Sequence, residues 1–87
     1  SLVEAMTEAQ SMLQLTENFL FKHAAYIHED EKIATDAAMV LLRNAVDAKD
    51  KDKILAATEQ LNQVSSPYAE RVMDVAVGEA LKGKGLQ

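Results

Sequence analysis

The side chains best suited to acid–base work or metal ligation in this sequence are its two histidines, His23 and His28. They stand five positions apart, whereas ligands that share a helix face stand three or four apart. Neither has a Glu three residues before it, as the helical di-iron pattern requires. Glu29, Asp30 and Glu31 form an acidic run, but at a helix start such a run complements the positive end of the helix dipole. Asp50 and Asp52 open in the manner of a calcium loop, yet Lys51 and Lys53 intervene and the required Gly and closing Glu are missing. Ser11, Ser65 and Ser66 lack the strand-turn-helix elbow and Gly-rich oxyanion loop of a serine nucleophile, and Ser65 and Ser66 suit helix caps. There is no Cys, which excludes disulfides, thiolate metal sites and thiol catalysis. No catalytic, cofactor-binding or metal-ligating residue is therefore assigned. His23 is expected to flank the apolar seam of a first helix and His28 to sit at its C-terminal end.

The elements that would position these residues follow from composition and spacing. The chain has 87 residues, a single-domain length, with 14 alanines, 3 Gly and 1 Pro. Small apolar side chains and scarce turn residues favour helix-on-helix packing over an all-β fold. The net charge of -5 and the scattered 9 basic residues argue against nucleic-acid and anionic-membrane partners. No apolar run reaches a membrane span and no signal peptide opens the chain, so a cytoplasmic location is expected. The whole of 1–87 reads as one helical unit, a single module or a fragment of a larger protein, with 84–87 a frayed tail.

Apolar residues at Leu2, Met6, Ala9, Leu13, Leu20 and Ile27 predict a long first helix over about 2–27, projecting from the bundle. A second row, Ala5, Met12, Phe19 and Tyr26, widens the stripe beyond what one neighbour covers. The face formed by Leu2, Met6, Ala9 and Leu13 is the candidate surface for another part of the parent protein or for a second copy, giving a homodimer through helix 1. Phe21 and Leu15 fall off the main stripe. After a turn near 28–30, a second helix to about Val46 carries Ala34, Ala38, Leu41 and Ala45 on one face, with Ile33, Ala37 and Val40 beside it. A third, N-capped by Asp50, spans about 51–64 and turns Ile54, Ala57, Leu61 and Val64 inward. Ser65-Ser66-Pro67 then marks either the start of a fourth helix or a bend in one continuous rod. That last stretch presents Ala69, Met73, Ala76 and Ala80, with Tyr68, Val72 and Leu81 nearby, and stops at Gly83. The fold class is an all-α antiparallel bundle of three to four helices. Its expected core contains Ala38, Leu41, Leu61, Ala69, Met73 and Ala76, and Leu41→Ala is expected to loosen it.

The C-terminal half carries a resemblance. Pro67-Tyr68-Ala69-Glu70-Arg71-Val72-Met73-Asp74, followed by Ala80-Leu81-Lys82-Gly83, resembles the terminal signature of HscA, the heat-shock-type chaperone devoted to iron-sulfur cluster assembly. Asp50-Lys51-Asp52-Lys53-Ile54 with Ala57, and Thr58-Glu59-Gln60-Leu61, resembles that family's acidic turn into its next lid helix. The likeness is best over about 30–83. It implies a helical lid subdomain, which in such chaperones covers a peptide held by a β-sandwich under the control of an ATPase domain. It further implies partners outside this chain: the rest of the chaperone with its ATP, a client peptide, a J-domain co-chaperone and the cluster scaffold. The alternative from a different class is a free-standing acidic helical adaptor that binds a partner helix or peptide.

Overall fold

A computed structural model of the chain describes residues 1–83. It comprises α1 (Leu2–Lys22), a short 3-10 turn (Ala24–Tyr26), α2 (Glu29–Asp47) and α3 (Lys51–Gly83). Every described element is helical, as the composition predicts.

Local chemistry sets the helix ends. The Ser1 hydroxyl accepts the Glu4 amide at 3.3 Å while the Glu4 carboxylate reaches back to the terminal amine, a reciprocal N-cap. α1 stops at Lys22, short of the predicted Ile27: the His23 amide still bonds the Phe19 carbonyl, after which the backbone tightens into the 3-10 turn. His28, placed by sequence at the end of the first helix, instead precedes α2 as its N-cap residue. α2 ends in a Schellman arrangement, with the Lys49 amide on the Val46 carbonyl and the Asp50 amide on the Ala45 carbonyl. This places Lys49 at φ 52°, in the left-handed region where glycine is the usual occupant. Asp50 then caps α3 by accepting the Lys53 amide at 3.1 Å.

Of the two readings of Ser65-Ser66-Pro67, the continuous rod is the one found, for α3 runs through Pro67 without interruption. Pro67 cannot donate to the Gln63 carbonyl. The neighbouring carbonyls nevertheless gain donors, because the Ser65 hydroxyl donates to Leu61 O at 2.8 Å and the Ser66 hydroxyl to Asn62 O at 2.7 Å. Pro67 is exposed, so its ring displaces no core residue. The two serines thus serve the interior of a helix rather than cap one.

α2 and α3 form an antiparallel hairpin, and α1 packs against both, antiparallel to α2 and joined to it across their surfaces by the Glu17–Arg43 ion pair. The core contains Ala5, Ala9, Leu13 and Leu20 from α1, Ala38, Met39, Leu42, Ala45 and Val46 from α2, and Ile54, Leu61 and Tyr68 from α3. Full burial of a side chain such as Leu42 or Leu61 contributes about 1.5–3 kcal/mol.

Several predicted core positions are displaced. Ala38 and Leu61 are buried and Ala69 is half-buried, but Leu41 is 58% exposed and Met73 66% exposed, and Ala76 also faces outward. α2 is turned by about one residue relative to the predicted face, so Thr35, Met39, Leu42 and Val46 point inward while Ile33, Ala34, Ala37 and Val40 do not. The cause is sequence degeneracy: apolar residues lie on both sides of α2, and the longer side chains Met39 and Leu42 fill the space toward α1 and α3 better than alanines would. Met73, Ala76 and Ala80 lie outside the core for a different reason. α3 is 33 residues long against 21 for α1 and 19 for α2, and beyond Val72 it extends past its neighbours. The overhang belongs to α3, whereas α1 buries residues along most of its length.

Candidate functional site

The most highly determined part of the molecule is where the α1–α2 connection meets α3. Arg71 donates through both guanidinium nitrogens to the two carboxylate oxygens of Glu31, at 2.7 and 2.9 Å, and Nη1 also donates to the Tyr26 carbonyl at 2.8 Å. Glu31 accepts in addition from the His28 amide at 2.9 Å. These donors, Arg71 first and the amide second, lower the Glu31 carboxyl from its ordinary 4.5 to about 2, against an opposing contribution from burial. The same pairing raises Arg71 above its ordinary value.

One turn earlier, Tyr68 is buried and its hydroxyl lies 3.0 Å from that of Thr35, a buried polar pair in which each group satisfies the other. Burial pushes the Tyr68 phenol upward, and the Thr35 bond partly offsets this. The Tyr68 ring meets Phe19 of α1 at 5.8 Å, and Phe19 meets His23 at 4.6 Å. A single turn of α3 therefore contacts α1, the connection and α2 together. His23 does flank the seam of α1, its ring tilted against that of Phe19.

The predicted docking face of α1 is divided. Ala9 and Leu13 are buried in this chain's own core, and Leu2 and Met6 are partly buried against it, so the stripe packs within the subdomain. The surfaces left open lie elsewhere. A groove of about 470 Å³ between α2 and α3 is lined by Leu41, Ala45, Ala48, Lys53, Ala56 and Ala57 among others. A second, of about 650 Å³, lies between α1 and α2 beneath the exposed Phe21 and Val40. Neither could be found from helical periodicity alone, since each depends on which helices become neighbours.

Among the described residues, no group of three His, Asp or Glu side chains is placed to hold a metal ion, and no helix is long and apolar enough to cross a membrane. The 84–87 tail lies outside the described residues. What the geometry defines is a helical packing module whose shape rests on a buried hydroxyl pair and a bidentate ion pair.

Comparison with known proteins makes this class specific. The chain is 34% identical over all 87 residues to the chaperone protein HscA homolog of Delftia acidovorans, of which it covers 14%. It is 35% identical over 86 residues to the homolog of Burkholderia pseudomallei, again 14% of that protein, and 33% identical over 82 residues to the HscA of Xenorhabdus nematophila. No family model and no solved structure matches. The chain is a homologue of the C-terminal region of HscA-like chaperones. It spans about one seventh of the length of the curated relatives it matches.

Proposed function

We propose that this chain is the helical lid of the substrate-binding region of an HscA-like chaperone, closing over a bound client peptide, in iron-sulfur cluster assembly within the cytoplasm. The observation that carries this reading is the match to HscA chaperones along the whole chain, joined to an all-helical fold. A lid of this kind acts mechanically. Closed, it obstructs escape of the peptide, so its presence alters affinity chiefly through the dissociation rate. The nucleotide cycle that moves it, open with ATP and closed once ATP is hydrolysed to ADP, belongs to a domain outside these 87 residues, and within the lid no residue is catalytic. A J-domain co-chaperone and the cluster scaffold are the proposed partners of the whole chaperone. The free-standing adaptor is the less favoured reading, since matches to long chaperones cover the chain fully.

The test uses the Delftia acidovorans relative with its matching segment replaced by this chain, beside the same chaperone truncated before that segment. With ADP bound, a fluorescent peptide should leave the chimera at least tenfold more slowly than it leaves the truncated form. Equal rates would overturn the lid assignment.

A further inference from the structure

Beyond Val72 the exposed side chains Met73, Val77 and Leu81 recur every four residues along α3, with Ala76 and Ala80 between them. They form an apolar stripe about three turns long on an exposed face of the helix. At the other end of the molecule, the α2–α3 groove is lined mainly by small side chains, Ala45, Ala48, Ala56 and Ala57, together with Leu41, Lys53 and the polar Asn44 and Gln60. The two surfaces are complementary in three respects. In size, branched and long side chains meet a lining of mainly small side chains that leaves room for them. In length, Met73 to Leu81 rises about 12 Å and Leu41 to Ala48 about 10 Å, at about 1.5 Å per residue. In charge, Glu70 and Asp74 each stand seven residues before an apolar stripe member, Val77 and Leu81, and so flank the stripe on one side. The groove offers Lys53, which makes no ion pair among the described residues.

We propose that the α3 overhang of one copy of this chain docks in the Ala-lined α2–α3 groove of a second copy, with Lys53 of the groove meeting the Glu70 and Asp74 flank of the incoming helix. The stripe cannot enter its own groove, because both lie along the one continuous helix α3. The contact is heterologous, two different patches meeting, and a three-turn helix buries less than the roughly 1,200 Å² of a stable interface. Association is therefore weak and visible only at high concentration. It does not depend on the lid reading and differs from a dimer through helix 1, whose Ala9 and Leu13 are already buried.

Sedimentation velocity on the 87-residue chain between 10 μM and 1 mM tests it, with two variants at exposed positions, Val77→Glu in the stripe and Ala56→Glu in the groove. The unaltered chain should associate as concentration rises, and each variant alone should stay monomeric. An equimolar mixture should form a one-to-one pair, because one partner keeps its groove and the other its stripe. Raising the salt to 0.5 M should weaken association at least twofold. The proposal is overturned if the unaltered chain is monomeric at 1 mM, if either variant associates alone, or if the mixture does not pair. Circular dichroism verifies that both variants fold; for one that does not, Leu81→Gln or Ala57→Gln replaces it, with the same outcomes.

Discussion

The two ends of α3 are built from similar residues and do different things. From Lys51 to Val72 the helix buries Ile54, Leu61, Tyr68 and Val72 and ties itself to α2 and to the α1–α2 connection through Thr35, Glu31 and Tyr26. From Met73 to Gly83 it is just as helical and just as rich in apolar residues, yet apart from the half-buried Val75 its side chains are exposed. Hydrophobicity alone therefore does not decide burial; the reach of the neighbouring helices does. The first region fixes the shape of the subdomain, while the second is available for contact.

Substitutions sharpen this contrast by their size. The largest loss is expected for Leu42→Ala, about 2–5 kcal/mol in urea unfolding, because Leu42 is fully buried. Against a total of about 4–13 kcal/mol for a chain of this length, that threatens the fold. Leu41→Ala, one residue away and largely exposed, should cost less than about 1 kcal/mol. A larger loss at Leu41 than at Leu42 would mean that α2 is turned as the alanine spacing predicts. Next comes Thr35→Val, about 1–3 kcal/mol, since it leaves the Tyr68 hydroxyl buried without a partner. Adding Tyr68→Phe should cost less than the sum of the two single changes, and strict additivity in the double-mutant cycle would deny the bond.

Acid probes the same junction from the other side. The depressed carboxyl of Glu31 contributes stability that is fully present above its ordinary 4.5 and is lost as pH falls toward about 2. The unaltered chain should therefore lose more thermal stability than Glu31→Gln across that interval; parallel melting curves would break the assignment. A smaller gain, up to about 1 kcal/mol, is expected for Lys49→Gly, which relieves the left-handed backbone at the α2–α3 turn. Smallest of all is Met73→Ala in the overhang, within about 0.5 kcal/mol, whatever its effect on association.

Much of this architecture was legible in the sequence. Seven-residue and four-residue spacings located α1 and α3, and short-range chemistry at Asp50 marked the start of α3, because these signals act within one turn. What was hidden lies across the chain. Thr35 gives no hint of burial until Tyr68, 33 positions away, supplies its partner, and the Arg71–Glu31 pair spans 40. The rotation of α2 was equally concealed, since Leu41 and Leu42 are interchangeable in hydrophobicity and only packing against α1 and α3 selects one. At Pro67 the sequence leaves both outcomes open, and the serine hydroxyls turned on the Leu61 and Asn62 carbonyls help accommodate the continuous helix.

The lid assignment meets its most direct test in peptide release from the ADP-bound chimera carrying Leu42→Ala, set beside the unaltered chimera and the truncated chaperone. A cover that works by holding a rigid shape predicts slow release from the unaltered chimera and faster release, approaching the truncated form, once the bundle core is hollowed. Three identical rates would contradict it.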